Sequence, residues 1–327
     1  MNPTSTAVVI RGALQQASIA YKNSNYIGDQ VFPIIDGMNR QAKILKYNKA
    51  PWFRNGAAYR SEGAVSQRAD FTITTSNFDP KEVSMGAVVT DELVAATGEP
   101  GSLPVKPITD ALELCADKID LFKEKTIADK IFAQTWADGV SGGHDAAGGW
   151  AATSSNPFIT DILGAKQTIQ QKIGLVPNTL VLDYATFLAL QNADVMIDRI
   201  KYTSSGVVTT GLIASLLQLD NVLIGTAIYT TDVETGSETG AMTTVLNIWE
   251  KNATKGSAFL FYRPRSAGLK TPSAGYQYRM QLEGGARRSI SYREEAQHQT
   301  VYEVAEFNEI SVMDLNLGYL WKDTIVD

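Results

Sequence analysis

The sequence predicts an α+β protein that reaches outward before it folds inward. Three observations predict this: a long, polar, two-stranded excursion over residues 41–92, a long charged helix beginning near Pro107, and an alternation of helices with short apolar strands after residue 150. The charge divides along the same line. Of the 29 Lys and Arg, eight lie in residues 1–60 against only two acids, Asp29 and Asp36, so the rest of the chain is strongly acidic. A basic, extended front end on an acidic body suits a chain that grips copies of itself.

Composition bounds the function classes. A chain of 327 residues is too long for one simple core and suits two or three modules, and 44% hydrophobic content is ordinary for a folded protein. The longest apolar runs, near residues 222–224 and 259–261, fall far short of the roughly 20 residues that a membrane-spanning helix needs. The N-terminus lacks the apolar centre of a signal peptide, which predicts a soluble protein, with no membrane partner, that stays in the cytoplasm where it is made. The single cysteine, Cys115, excludes an intrachain disulfide and sits among Leu112, Leu114 and Ile119 as a small buried apolar residue. A net charge of −6 argues against a dedicated reader of nucleic acid, which needs a basic face to displace counterions from phosphate.

Residues 1–40 lack a sustained period and read as an arm, with at most one short helix around residues 12–22. Ile34-Ile35-Asp36-Gly37 reads as a strand stub closed by a turn. Residues 42–47 and 71–75 read as strands, the second alternating large apolar residues with Thr. Between them lie Pro51, Gly56 and Gly63 with Arg54, Arg60, Glu62 and Arg68, too polar and too broken to fill a core. Unstructured connections beyond about 15 residues are uncommon in compact domains, so this loop needs a partner. Trp52 and Phe53, next to Arg54, have the composition of an interface anchor, with local packing inside the loop as the other reading.

Residues 82–90 form the next strand, and Gly98, Pro100, Gly101 and Pro104 mark a hinge. Pro107 suits a helix start, where its missing donor costs nothing, and Asp110 and Glu113 complement the helix dipole. Ile108, Leu112, Cys115, Ile119 and Phe122 fall on one stripe that Ala128, Ile131 and Phe132 resume, with Lys118, Lys123, Lys125 and other charges covering the rest. About 30 residues make a rod of roughly 45 Å. Residues 139–149 read as a flexible, glycine-rich turn.

Helices are expected at 159–173, 184–193, 195–202 and 211–219, and buried strands at 179–183 and 222–225. Residues 243–250 and 257–263 read as a pair of strands around 251–256. From Tyr276 onward, 276–282, 301–307, 310–313 and 319–321 read as mostly antiparallel strands that return across the molecule.

This order of pieces resembles the major capsid proteins of tailed bacteriophages, the HK97-fold family. Tyr26-Ile27-Gly28-Asp29-Gln30-Val31-Phe32-Pro33 ahead of the loop, Pro177-Asn178-Thr179-Leu180-Val181-Leu182 entering a sheet, and residues 219–225 with Trp249 further on are the local stretches that fit. The resemblance implies an N-terminal arm (1–40), an extended β-hairpin loop (41–92), a peripheral domain with a long spine helix and β-sheet (93–150), an α/β axial domain (151–285) and returning strands of both domains (286–327). It implies a subunit that forms hexamers and pentamers of an icosahedral head, in the virion, assembled in the host cytoplasm around double-stranded DNA that it touches weakly and without sequence preference. A separate scaffold protein, a portal and decoration proteins are the further partners implied. In the family the loop lies over a neighbouring subunit. Some relatives cross-link neighbours through a Lys and Asn pair, but Lys43, Lys46 and Lys49 do not match that chemistry.

The charges agree with such a contact. Exposed ion pairs contribute only about 0–1 kcal/mol each, so weak pairs repeated around a closed shell can add up and still let errors dissociate. Residues 291–327 hold eight acids, among them Glu294, Glu295, Glu303, Glu306 and Glu309. The expected inter-subunit contact joins Trp52, Phe53, Arg54, Arg60, Glu62 and Arg68 of one subunit to Glu294, Glu295, Glu303 and Glu306 of the next.

Chemical motifs are poor by comparison, and neither an enzyme nor a cofactor is expected. Gly139-Val140-Ser141-Gly142-Gly143 matches the nucleophile-elbow string, but the elbow needs a buried strand before the serine, and a helix is expected there. The two histidines, His144 and His298, are too few for a catalytic metal, and Glu294 with His298 reads as a solvated polar turn. No phosphate-binding glycine loop is present. Three alternatives stand beside the capsid reading: an encapsulin-like nanocompartment shell, a serine hydrolase using Ser141, and a nucleic-acid binder using the basic arm.

Overall fold

The computed structural model describes residues 22–23, 25–38, 42–97, 106–200, 208–232, 244–252, 255–268, 270–281 and 286–325. The expected helix at 12–22 and the hinge at 98–104 fall almost wholly outside them.

A short turn of helix, α1 (Gly28–Val31), leads into β1 (Ile34–Met38), and then β2 (Ala42–Tyr47) and β3 (Ile73–Phe78) pair as the antiparallel excursion. Tyr47 stands opposite Ile73, so the second strand begins two residues later than its Thr alternation predicts. Only α2 (Ala50–Phe53) interrupts the span between the two strands. After β4 (Lys81–Thr90) come α3 (Asp91–Thr97) and the spine, α4 (Pro107–Phe132), whose 26 residues make about 39 Å of rod.

The buried face of α4 departs from the expected stripe. Ala111, Cys115, Ile119, Lys123, Glu124, Ile127, Ala128 and Ile131 are buried, while Ile108 and Phe122 lie exposed. The helix serves two bodies in turn, and its contact face rotates between them. Cys115 and Ile119 pack on Val304 in one sheet, whereas Ile127, Ala128 and Ile131 join a core with Ile27, Phe32 and Phe259.

The second half supplies β5 (His144–Asp145), α5 (Phe158–Ile173), β6 (Thr179–Asp183), α6 (Tyr184–Gln191), α7 (Asp194–Ile200), α8 (Thr210–Leu217) and β7 (Asn221–Gly225). Then follow β8 (Ile228–Thr230), β9 (Val245–Asn247), β10 (Ser257–Phe261), β11 (Gly275–Met280), β12 (Arg287–Glu294), β13 (Gln299–Val312) and β14 (Gly318–Lys322). The expected pairing of 243–250 with 257–263 does not form. Instead β9 pairs with β8, and β10 takes the centre of a sheet ordered β5-β14-β10-β6-β7. All five residues of β10 are buried because cores cover both faces of the strand, while β14 and β6 pair with its two edges, one of which a simple hairpin would leave open.

Alternation along β6 and β10 splits that sheet between two cores. Leu180, Leu182, Ala258 and Leu260 face a cluster with Ile162, Ile169, Trp150 and Trp321, while Val181, Phe259 and Phe261 face one with the spine and α1. Sequence therefore shows continuous apolar runs there. Residues 139–149, expected as a flexible turn, form a packed wall of this sheet, since Gly142 and Gly143 are buried and β5 pairs with β14. At φ +97°, Gly143 lies so close to Leu320 that a Cβ would stand 2.8 Å from its Cγ.

The other sheet is organised by β13. One side of this strand pairs with β4 and the other with β12 and then β11, to which β1 adds in parallel. Residues 301–307 and 310–313 are thus one strand, because Asn308 pairs with both Lys81 and Arg279 and carries the ladder from one partner to the next. Gly275–Met280, assigned from sequence to the axial segment, belongs to this sheet.

Candidate assembly interface

The excursion is held to the body along its two-stranded part. Phe78 stacks on Tyr278 with ring centroids 5.0 Å apart, Lys49 pairs with Asp314, and Lys270 sits 5.5 Å over the Tyr47 ring. Trp52 meets Tyr47 edge-on at 6.1 Å, yet 64% of it remains exposed; Phe53 is exposed to the same degree although its ring approaches Gly174. Beyond Phe53 every residue to Ile73 is exposed, including Arg54, Arg60, Glu62 and Arg68. Among the described residues none of these four has an ion-pair partner. Tyr59, Val65 and Phe71 are also exposed, although the Phe71 ring lies 6.1 Å from Tyr47; sequence reasoning passed over the first two and read Phe71 only as the start of a strand, and apolar side chains in an otherwise polar loop were the available signal.

The expected acidic counterpart is only partly accessible. Glu306 must be withdrawn: its side chain is 2% exposed and accepts from Arg287 Nε at 2.8 Å. The strand carries it inward, and Arg287, which also grips Asp120, closes over it. Burial lowers the Arg287 pKa, but its hydrogen bonds to Asp120 and Glu306 outweigh that and raise it overall. Glu295 lies at the surface, 3.0 Å from Arg293, Glu294 accepts from the Gln299 side chain, and Glu303 is half-buried on β13. Glu92, Asp110 and Glu113, at the starts of the adjoining helices α3 and α4, are exposed and have no ion-pair partner among the described residues. Across the sheet, Val301 is buried between Val88 and Tyr292, which are both about half exposed.

The described residues thus form an outstretched loop, a long spine carrying one sheet and a second sheet packed between helices. The chain superposes on a capsid structure of cyanophage P-SCSP1u with a TM-score of 0.60 at 10% identity, over 94% of this chain and 90% of that one. It has the HK97-type capsid fold. A crystal structure of a phage-related protein from Bordetella bronchiseptica RB50 matches with a TM-score of 0.66 at 21% identity, over 98% and 97% of the two chains. The major capsid protein of Burkholderia phage BcepMu is 27% identical over 233 residues, 68% of this chain and 71% of that protein. No protein-family model matches the sequence.

In this HK97-type fold, the spine holds the front segment through acids that sequence reasoning took for a solvated face or passed over. Glu124, 2% exposed, accepts hydrogen bonds from the backbone of Ile27 at 2.9 Å and Gly28 at 2.6 Å, and from Trp249 Nε1 at 2.7 Å. Burial pushes its carboxyl above the usual range despite these three donors. Two turns earlier, Asp117 accepts from the Tyr26 hydroxyl, and Lys123 bridges Asp29 and Asp120. Spacing of Asp117, Asp120 and Glu124 at i, i+3 and i+7 was the signal that one helix face carries them.

The remaining chemical motifs resolve into structure. Ser141 follows the end of α4 and a turn through Trp136, with no strand before it, so the strained strand-to-helix turn of a nucleophile elbow is not formed. His144 lies in β5 beside Tyr319, and His298 caps a single 3-10 turn (Glu295–Gln297) at an exposed hairpin tip. Among the described residues no three His, Cys, Asp or Glu are grouped to hold a metal, and no helix is long and apolar enough to cross a membrane.

Proposed function

We propose that this protein is the major capsid protein of a tailed bacteriophage, a structural subunit that self-assembles into the hexamers and pentamers of an icosahedral head. The observation that carries the reading is the loop over residues 54–72: exposed throughout, cationic, studded with Tyr59, Val65 and Phe71, and set on an HK97-type fold. A loop that buries little in its own subunit gains little there to offset the entropy cost of ordering, so its ordering awaits a partner surface. The likeness to the BcepMu capsid protein supports the same reading.

The receiving surface on the neighbour is the end of the β4-β13-β12 sheet where α3 and the start of α4 adjoin it, with Val88 and Tyr292 offering apolar contact on the face away from the spine. Glu92, Asp110 and Glu113 offer unpaired negative charge to Arg54, Arg60 and Arg68, with Glu295 and Glu303 at the side. Each pair is weak, and repetition around the shell supplies the sum. The assembled shell encloses double-stranded DNA in the virion and is built in the host cytoplasm with a separate scaffold protein, a portal and decoration proteins.

Electron microscopy and sedimentation of the full chain, alone and coexpressed with candidate scaffold genes, test this. Closed shells or capsomers are expected. A chain that stays monomeric under every such condition overturns the proposal, and shells that enclose protein cargo instead of DNA redirect it to a nanocompartment.

A further inference from the structure

The chain contains one Asn-Gly pair, Asn55-Gly56, and the fold places it in the exposed loop. No hydrogen bond holds the Asn55 side chain among the described residues, and a Cβ built on Gly56 would meet nothing within 4 Å. Other asparagines are tied down: Asn178 bonds to Asp220 and Arg263, Asn156 to Trp150 and Ala152, Asn252 to Asp323. Each of those also precedes a residue with a side chain, which hinders the backbone from folding onto the amide. Glycine has no such restriction.

We propose that Asn55-Gly56 is a covalent modification site at which the loop deamidates spontaneously, with water as the only co-reactant. The backbone nitrogen of Gly56 attacks Cγ of Asn55, a C–N bond forms, and the bond from Cγ to the side-chain nitrogen breaks with release of ammonia. The resulting five-membered imide takes up one water at either carbonyl and opens to aspartate or to isoaspartate. One water enters, one ammonia leaves, and nothing is oxidised or reduced. Either product places a new carboxylate between Arg54 and Arg60.

That charge matters where the loop works. Residues 43–68 carry Lys43, Lys46, Lys49, Arg54, Arg60 and Arg68 against Glu62 alone, and conversion adds a second acid at the cationic tip. The isoaspartate form also lengthens the backbone by one atom. The consequence for assembly rests on the loop contact proposed above, whereas the chemistry does not. A subunit left unassembled therefore loses its attraction for neighbours with age, and one incorporated early is protected, because a covered loop cannot fold its backbone onto the amide.

The test is incubation of the full-length unassembled protein in mildly alkaline buffer made with 18O water, followed by trypsin. Cleavage after Arg54 and Arg60 isolates residues 55–60 as one peptide. In ordinary water the peptide gains about one mass unit, with the heavy oxygen adding to this, and it splits into two chromatographic peaks; Asn55→Gln abolishes the change and Gly56→Ala slows it markedly. An unlabelled peptide 55–60 after an incubation in which other asparagine peptides take up label overturns the proposal. So does conversion of Gly56→Ala at the wild-type rate. Assembled particles form a separate arm: label there as fast as in free subunits would show the loop uncovered and sink the proposed contact, while leaving the modification site standing.

Discussion

The indole of Trp249 donates to the buried carboxylate of Glu124 at 2.7 Å, and this bond joins the α/β half of the molecule to the spine. The same carboxylate holds the backbone of Ile27 and Gly28, so three segments far apart in sequence meet at one side chain. Trp249 is fixed from its other side by Gly225, whose missing Cβ makes room for the ring at 2.4 Å. A buried acceptor shared by three donors is costly to remove, because each abandoned N–H keeps its desolvation penalty.

Glu124→Gln retains one acceptor oxygen but turns an amide N–H₂ toward a backbone donor. A loss of about 1–3 kcal/mol is expected from the stranded donor, with Glu124→Ala losing more. Urea denaturation followed by tryptophan fluorescence measures both, and an unchanged midpoint for the alanine variant would contradict the role of the carboxylate as a joint.

Arg287 and Arg288 are neighbours with opposite expected weights. Removing Arg287 strands Glu306, whose side chain is 2% exposed, and breaking a buried pair from one side costs about 3–5 kcal/mol. Arg288 pairs with Glu82 at 3.4 Å in the open, worth about 0–1 kcal/mol. Thermal denaturation of the two alanine variants should separate them clearly, and equal losses would mean that Glu306 finds another partner or a proton.

Asp183 should make stability depend on pH. It is fully buried, caps the start of α6 by accepting from Ala185 at 2.9 Å, and leaves its other oxygen without a hydrogen bond. Burial first, and then repulsion from Glu250, push its pKa from the ordinary 3.8 up to about 7. A carboxyl raised by folding binds its proton more tightly in the folded state. The stabilisation is therefore complete below the unfolded value, declines as pH rises, and is lost above about 7. Asp183→Asn keeps the cap and cannot ionise, so it should flatten this decline and raise stability at mildly alkaline pH by on the order of a few kcal/mol. Melting temperatures taken across that range for both proteins provide the check, and parallel profiles would refute the assignment.

Charge reversal of the loop isolates assembly from folding. Arg54→Glu with Arg60→Glu touches no intramolecular ion pair among the described residues, so the melting temperature should stay near wild type while shell formation is lost. Reversing Asp110 and Glu113 to Lys in the same chain should restore part of it. Normal particles from the loop variant would exclude electrostatic recognition at this surface.

How much of this was legible in the sequence follows from what each segment faces. β6, β7, β10 and β14 announced themselves as short apolar runs because a sheet covered on both sides needs apolar residues at every position. The start of α4 was marked by Pro107, and the loop by its lack of any period. β12 was missed because an edge strand of Arg, Ser and Glu carries only Ile290 and Tyr292 as apolar signals. Lys123 and Glu124 were unreadable for a different reason: charged residues on a helix usually face water, and no local pattern reveals that a distant segment will cover them.

Periodicity and composition act within a few residues, and so the order of elements, the outstretched loop and its excess of positive charge were already determined by the sequence. Which strands became neighbours was decided only in three dimensions, as when Val245–Asn247 took Ile228–Thr230 as its partner and left β10 to the sheet centre. Long-range packing likewise withdrew Glu306 from the surface and left Glu92, Asp110 and Glu113 on it. Burial depends on what arrives from far along the chain, and only the folded molecule brings Arg287 over one carboxylate and leaves the others open to a neighbour.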